Sequence, residues 1–253
     1  TTSGSYQDHV LSIFSGSCDN LFCIANIGTS YYGEHAVHEF IAEAGVTYYF
    51  LVTRMSSLSQ STYVLKLFEY DIPQNDKCDN ALPVNTSLPV TVSGSTLGAL
   101  PDFSFDTCGV SSSSRGVWHS FAGSGKVTRV EYQGAATHSY GDHVLSIFSG
   151  SCDNLFCIAN IGTSYYGEHA VHEFIAEAGV TYYFLVTRMS SLSQSTYVLK
   201  LFEYDIPQND KCDNALPVNT SLPVTVSGST LGALPDFSFD TCGVSSSSRG
   251  VWH

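Results

Sequence analysis

The chain has 253 residues and a formal net charge of −13, with ten lysines and arginines against 23 aspartates and glutamates. So acidic a chain lacks the basic face that nucleic acids and anionic membranes require, and neither is expected as a partner. Hydrophobic residues make up 43% of the chain, enough for one or two buried cores, and no apolar run approaches the length that spans a bilayer.

The first part of the chain predicts strands throughout. Its β-branched and aromatic residues fall in short runs that end at Gly, Ser or Asn, which favours strands over helices. The run Thr47-Tyr-Tyr-Phe-Leu-Val52 is the strongest of these signals. The predicted strands cover residues 8–14, 20–27, 36–43, 46–54 and 62–68.

A short polar stretch, Glu69–Lys77, follows these strands and contains Pro73. It has no Gly/Ser run, so it predicts a stiff boundary between domains and not a flexible linker. We therefore expect successive domains to touch and to hold a fixed angle. The equivalent stretch later in the chain contains Pro207.

Strand patterns resume after the boundary, and then the chain repeats itself. Residues 88–93, 116–122 and 126–132 predict strands, and residues 142–253 are identical to residues 8–119 without one change. A fixed-period repeat is typical of arrays built from one structural unit. The expected core consists of Trp118 at its centre with Leu145, Ile147, Phe184 and Leu199 around it.

The repeat frame divides the chain into three parts. Residues 75–204 form one complete repeat with about eight strands, which predicts an all-β fold: an antiparallel two-sheet β-sandwich or jelly roll, repeated in tandem. Residues 1–70 are then the C-terminal half of one repeat, and residues 209–253 are the N-terminal part of the next. Neither part can bury its apolar face alone. We therefore expect a neighbouring copy to complete each part, as in a head-to-tail homopolymer.

Each copy of the repeat carries four cysteines. The even count and the absence of metal-type C-x-x-C pairs favour disulfide bonds, and hence an oxidising, extracellular compartment. Three pairings are open within one copy, and buried free thiols are the alternative. The favoured pairing joins Cys152 to Cys157 as a hairpin clip and Cys78 to Cys108 as a larger loop. The full set of expected disulfide cysteines is Cys18, Cys23, Cys78, Cys108, Cys152, Cys157, Cys212 and Cys242.

Two N-glycosylation sequons indicate a glycoprotein. Asn85-Thr-Ser lies between Pro83 and Pro89, where an exposed loop is expected, and the same sequon recurs at Asn219. The expected glycosylation sites are therefore Asn85 and Asn219.

Metal ligands are weakly indicated. Asp102, Asp106 and Asp142 could supply oxygen ligands to Ca²⁺, but aspartates that cap turns are the favoured interpretation. His35 and His38 lie three apart on a predicted strand, so they point to opposite faces and cannot share one ion. We expect no cofactor and no firm metal site.

Five runs of residues in the repeat form one pattern: Gly116-Val-Trp-x-x-Phe-x-Gly123, Leu145-Ser-Ile-Phe-Ser-Gly-x-Cys152, Cys157-Ile158, Ala178-Gly-Val-Thr-Tyr-Tyr183 and Tyr197-Val-Leu-x-Leu201. This pattern resembles the pre-peptidase C-terminal type of β-sandwich domain, which occurs in tandem in large secreted and surface proteins. The resemblance implies a jelly-roll-like fold and an accessory, binding or structural role, without catalytic residues. Some members of that family bind calcium.

Enzymatic chemistry has little support in the sequence. There is no G-x-S-x-G elbow, no Ser/His/Asp arrangement that stands out and no phosphate-binding glycine loop, so we predict that the chain is not an enzyme. The best-supported function is a structural subunit of an extracellular filament or surface fibre. The alternatives are a carbohydrate- or surface-binding adhesin module, whose tandem copies would supply avidity, and an accessory domain of a secreted hydrolase.

Overall fold

A computed structural model gives the fold of the chain, which divides into two compact units, Thr1–Glu69 and Tyr70–His253. The structure describes residues 9–28, 37–54, 62–84, 87–101, 108–110, 114–134, 143–162, 170–188, 196–218, 221, 223–235, 245 and 247–253.

The first unit contains one antiparallel sheet of three strands. Strands β1 (His9–Ser17) and β2 (Asn20–Gly28) form a hairpin, and β3 (Tyr48–Arg54) pairs with the other edge of β1, so the sheet order is β2-β1-β3. The strand predictions for residues 8–14, 20–27 and 46–54 are confirmed.

The second unit contains two sheets packed against each other, which confirms the all-β sandwich. One sheet has the order β10-β7-β12-β5 and the other the order β4-β6-β11-β8-β9. All neighbouring strands are antiparallel except β4 and β6, which are parallel. The strands are β4 (Leu82–Pro83), β5 (Val90–Ser95), β6 (Arg115–Ala122), β7 (Lys126–Gly134), β8 (His143–Ser151), β9 (Asn154–Gly162), β10 (Ala170–Ala176), β11 (Thr181–Arg188) and β12 (Thr196–Tyr204).

The core lies between the two sheets. Because side chains alternate along a strand, every second residue of each central strand points into it. The four-stranded sheet contributes Val130, Tyr132, Leu199 and Leu201, and the five-stranded sheet contributes Val117, Phe121, Leu145, Ile147, Phe184 and Val186. The predicted core positions Leu145, Ile147, Phe184 and Leu199 are confirmed.

Trp118 is buried, but the prediction that it centres this core was wrong. It belongs to a second cluster with Phe148, Leu185, Cys108 and Val110. Since its neighbour Val117 points into the core, alternation along β6 turns the indole to the outer face of the five-stranded sheet. The indole and Phe148 rings are 5.7 Å apart between centroids.

The strand predictions for residues 36–43 and 62–68 were wrong. Residues 37–43 and 62–68 form no strand in the first unit, although the identical sequences form β10 and β12 in the second. There, β10 pairs with β7, and β12 pairs with both β7 and β5. Residues 37–43 and 62–68 have no such partner strands among the described residues, so their backbone has no ladder to join.

Residues after β12 trace the beginning of a further repeat. The 3-10 helix Cys212–Asn214 and the isolated bridge between Pro235 and Arg249 match the 3-10 helix Cys78–Asn80 and the bridge between Pro101 and Arg115. Residues 224–229, which have the sequence of β5, form no strand. The strand that pairs with β5 is β12, and residues 224–229 pair with no strand among the described residues.

Candidate assembly site

One sequence occupies two environments in this chain. We call residues 75–204 the complete domain, residues 1–70 the N-terminal segment and residues 209–253 the C-terminal segment. Residues at the same position of the two copies of the repeat are called twins. Leu199 and Leu201 on β12 are 0% exposed, whereas their twins Leu65 and Leu67 in the N-terminal segment are 38% and 64% exposed. The N-terminal segment therefore presents to solvent side chains that the complete domain buries.

The outer edge of β3 is a second incomplete surface. Its twin β11 pairs on one side with β8 and on the other with β6, but β3 pairs only with β1 among the described residues. Leu51 on β3 is 51% exposed, whereas its twin Leu185 is 0% exposed and packs in the Trp118 cluster. What β3 lacks is a strand with the sequence of β6.

The C-terminal segment carries the beginning of that sequence, and its local hydrogen bonds are already formed. The N–H of Leu234 donates to Asp210 Oδ1 over 2.7 Å, as the N–H of Leu100 does to Asp76 Oδ1. Arg249 Nη1 donates to the carbonyl of Ala233 over 3.2 Å. Arg115 donates to the carbonyl of Ala99 over the same distance. These parts of the segment therefore make the same local hydrogen bonds as the complete domain.

An ion pair joins the C-terminal segment to the complete domain. The carboxylate of Glu173 on β10 forms ion pairs with Arg129 of the neighbouring β7, at 3.6 Å, and with Arg249 of the C-terminal segment, at 3.4 Å. Burial lowers the pKa of the adjacent His172, the positive charge of Arg249 lowers it further, and the Glu173 carboxylate opposes both effects. Each pair is partly exposed, so its net contribution is at most about 1 kcal/mol. The Arg249–Glu173 pair ties the C-terminal segment to β10 of the complete domain.

A close backbone approach fixes the same boundary. Gly232 has φ +78°, and a Cβ at this position would collide with the carbonyl oxygen of Asp205. Its twin Gly98 is placed in the same way against the carbonyl of Asp71. Glycine is needed at both positions because it alone combines a positive φ with the missing side chain. The Asp205 carboxylate also pairs with Lys126 at 3.1 Å.

The complete domain has two disulfide bonds, but not in the predicted pairing. Cys78 bonds to Cys152 and Cys108 to Cys157, with Cα–Cα distances of 5.6 and 5.5 Å. The predicted Cys152–Cys157 clip was wrong because Cys152 lies in the turn that follows β8. Cys157 lies three residues beyond Asn154, where β9 begins, and therefore about 10 Å along the strand. A disulfide cannot span that distance.

Each disulfide joins an early part of the repeat to its later hairpin. Cys78 and Cys108 precede β6 and β7, whereas Cys152 and Cys157 belong to the β8–β9 hairpin. Asn160 of β9 also donates to the carbonyl of Cys108, and its Nδ2 lies 3.2 Å from Ser146 Oγ. The bonds therefore join the first part of the repeat, whose sequence recurs in the C-terminal segment, to the last part, whose sequence recurs in the N-terminal segment.

Three of the corresponding cysteines in the N-terminal and C-terminal segments are unpaired. Cys18, Cys23 and Cys212 are exposed free thiols in this chain, so the predicted disulfides at these positions are not formed within it. Cys242 lies outside the described residues. Two of the three thiols belong to the N-terminal segment and one to the C-terminal segment.

The predicted glycosylation and calcium residues are not among the described residues. Asn85, Asn219, Asp102, Asp106 and Asp142 all lie outside the described residues. Within the described parts of the chain, no group of three or more His, Cys, Asp or Glu side chains could hold a metal ion.

Sequence reasoning missed one buried polar pair in the complete domain. His119 Nε2 and the Tyr197 hydroxyl lie 2.6 Å apart between β6 and β12. Burial lowers the pKa of His119, with a backbone hydrogen bond at Leu82 opposing the shift, and burial raises the pKa of Tyr197 to about 12. The neighbouring Tyr132 is also buried, and its pKa is raised by burial and by Tyr197. Strand alternation could have placed His119 on the inner face, beside Val117 and Phe121.

The fold defines the class of protein: an all-β chain whose antiparallel sheets pack as a sandwich reinforced by two disulfide bonds. No family model and no curated protein matches the chain. In the residues that the structure describes, no helix is long and apolar enough to cross a membrane.

Proposed function

We propose that the chain is the structural subunit of an extracellular filament or surface fibre. In this filament, the C-terminal segment of one subunit and the N-terminal segment of the next combine into one β-sandwich. Complete domains and joined domains then alternate along a row. The row continues because the two joining surfaces are different, so that each addition leaves a new open end.

The observation that carries the proposal is the difference in burial between identical sequences. Leu65 and Leu67 are exposed, whereas Leu199 and Leu201 are fully buried in the complete domain. Burying one such side chain contributes about 1.5–3 kcal/mol. The complete domain itself supplies the template for how the two segments fit, since residues 143–204 occupy in it the positions that the N-terminal segment would take.

Contacts at the domain boundary support a fixed angle between successive units. Arg249 pairs with Glu173, and the Asp205 carbonyl packs on Gly232. A rigid boundary gives every unit the same rise and twist, as a regular filament requires. The resemblance to tandem β-sandwich domains of secreted proteins agrees with such a role.

The disulfide bonds favour an extracellular location. They form and persist in oxidising compartments, and they are rare where thiols are kept reduced. The sequons at Asn85 and Asn219 agree with passage through a secretory pathway. Residual N-glycan mass on the protein purified from its source would test this part of the proposal.

Electron microscopy of the full-length chain in non-reducing buffer tests the proposal directly. We expect rods with one bead per domain and lengths that grow with protein concentration. A particle of uniform size that stays monomeric at every concentration would count against a filament.

The duplicated sequence offers a matched control. L65D/L67D changes only the exposed copy, so we expect folded chains that form no rods. L199D/L201D introduces the same residues where both side chains are fully buried, and we expect it to unfold the complete domain. Rods formed normally by the L65D/L67D variant would show that this surface is not used.

A further inference from the structure

Two exposed thiols of the chain are twins of a disulfide pair. Cys78 bonds to Cys152 in the complete domain. The residues at the same repeat positions in the incomplete segments are Cys212 and Cys18, and both are exposed free thiols. Each segment thus carries one half of a bond whose geometry the complete domain already defines.

The hairpin that carries Cys18 has the same strand register as the hairpin in which Cys152 is disulfide-bonded. Ser17 pairs with Asn20 beside Cys18, and the register shifts between Ile13 and Phe14. In the complete domain, Ser151 pairs with Asn154 beside Cys152, and the register shifts at the equivalent position. The turn therefore needs no rearrangement to present Cys18 as it presents Cys152.

The helical turn that carries Cys212 likewise has the backbone conformation of the turn in which Cys78 is disulfide-bonded. Lys211, which precedes the 3-10 helix, has φ −115° and ψ 148°, and its twin Lys77 has φ −121° and ψ 150°. The N–H of Ala215 donates to the carbonyl of Cys212 over 3.0 Å, compared with 2.9 Å for Ala81 and Cys78. Because the turn already has this conformation, forming the bond costs little further conformational entropy, which favours association.

Strand pairing would bring the two cysteines together. In the complete domain, Leu185 of β11 lies opposite Trp118 of β6. The same register sets Leu51 of one copy opposite Trp252 of another. Leu51 is exposed and Trp252 only half-buried in the single chain. Pairing β3 with residues 249–253 would cover both side chains and place Cys18 against the Cys212 helix.

We propose that Cys212 of one chain forms a disulfide bond with Cys18 of a second copy of the same chain, so that the joint between subunits is covalent. This inference rests on the proposed filament and identifies the bond that would join its subunits covalently. The two thiols lose two protons and two electrons as the S–S bond forms. A small-molecule disulfide such as oxidised glutathione accepts them and is released as two thiols.

The test uses equal amounts of ¹⁵N-labelled and unlabelled full-length chain, both carrying C23S/C242S. This background leaves Cys18 and Cys212 as the candidate thiols and gives the tryptic peptide of Cys212 a mass different from that of Cys78. The mixture is assembled with reduced and oxidised glutathione, alkylated, digested and analysed by mass spectrometry. A C212S variant in the same background serves as the control, and rods are counted by electron microscopy in both samples.

The expected result is a peptide pair that joins Cys18 of one isotope to Cys212 of the other and disappears after reduction. On non-reducing gels it corresponds to a ladder of multimers that the C212S control lacks. Rods in which both thiols are alkylated would overturn the disulfide and leave the filament intact. A bond found only between cysteines of one isotope would also overturn it, because the bond would then lie within a chain. Alkylated thiols without rods would overturn both proposals.

Discussion

Asn209 and Trp252 are joined by two hydrogen bonds: Asn209 Nδ2 donates to the carbonyl of Trp252 over 2.8 Å, and the N–H of Trp252 donates to the carbonyl of Asn209 over 2.9 Å. Asn75 and Trp118 make the same two bonds, both 2.8 Å long, in the complete domain. This pair of hydrogen bonds, which we call the Asn–Trp brace, therefore forms in the C-terminal segment as it does in the complete domain. The brace holds the backbone at Trp252, within the sequence that corresponds to the start of β6, in position to pair with another strand.

The two braces predict different effects of one substitution. N75A removes a buried donor and leaves the carbonyl of Trp118 without it, so the free energy of unfolding of the complete domain should fall by about 1–3 kcal/mol. N209A should leave that free energy unchanged within about 0.5 kcal/mol but weaken assembly. Urea denaturation followed by circular dichroism measures the first effect, and sedimentation measures the second. Equal destabilisation by both variants would contradict the separation of roles.

Core leucines give a second matched pair. L199A removes a fully buried side chain and should lower the free energy of unfolding by about 2–5 kcal/mol, because it loses burial and leaves a cavity. L65A changes the identical residue where it is exposed, so the dilute chain should lose little stability. Thermal or urea unfolding at low protein concentration measures both. A large loss in L65A would mean that Leu65 is already buried in the single chain.

Removing a disulfide should destabilise the complete domain strongly. The Cys78–Cys152 bond closes a loop across 74 positions, so in the chain-entropy view C78S/C152S should cost about 4 kcal/mol. C18S/C23S, which removes two exposed free thiols, is the control and should cost almost nothing in a single chain. Guanidinium unfolding compares the two. The reverse order of effects would indicate that Cys18 and Cys23 are bonded in the native chain.

The buried histidine predicts a pH dependence of stability. Burial lowers the pKa of His119 in the folded chain, whereas an unfolded histidine titrates near about 6.5. Between the two pKa values the unfolded chain binds more protons, so stability is complete above about pH 6.5 and is lost as the pH falls below it. H119Q should therefore show a flatter loss of stability between pH 7 and pH 5 than the wild type.

Control histidines sharpen this measurement. His253 has the same repeat position but is exposed, so H253Q is the matched control for the substitution itself. His172 also has a lowered pKa, so H119Q should remove only part of the dependence. A wild-type profile in H119Q would show that His119 does not contribute to it.

The sequence by itself determined the local structure of the complete domain and the class of the fold. Alternating β-branched and aromatic residues placed its eight long strands, because a strand with one buried face needs an apolar residue at every second position. The exact repeat also predicted that the residues near each end belong to further copies of the same unit. The division into a complete domain and two segments to be joined remains a prediction.

Only the tertiary structure decided which groups pair. Residues 62–70 and 196–204 have one sequence, yet only the second forms a strand, because a strand needs a ladder that distant residues supply. The same dependence explains the cysteines. Cys152 and Cys157 are close in sequence, but the hairpin register separates them, and the sheet instead brings Cys78 and Cys108 to them from far along the chain. Pairings of this kind are set by the packing of whole strands, which no local pattern contains.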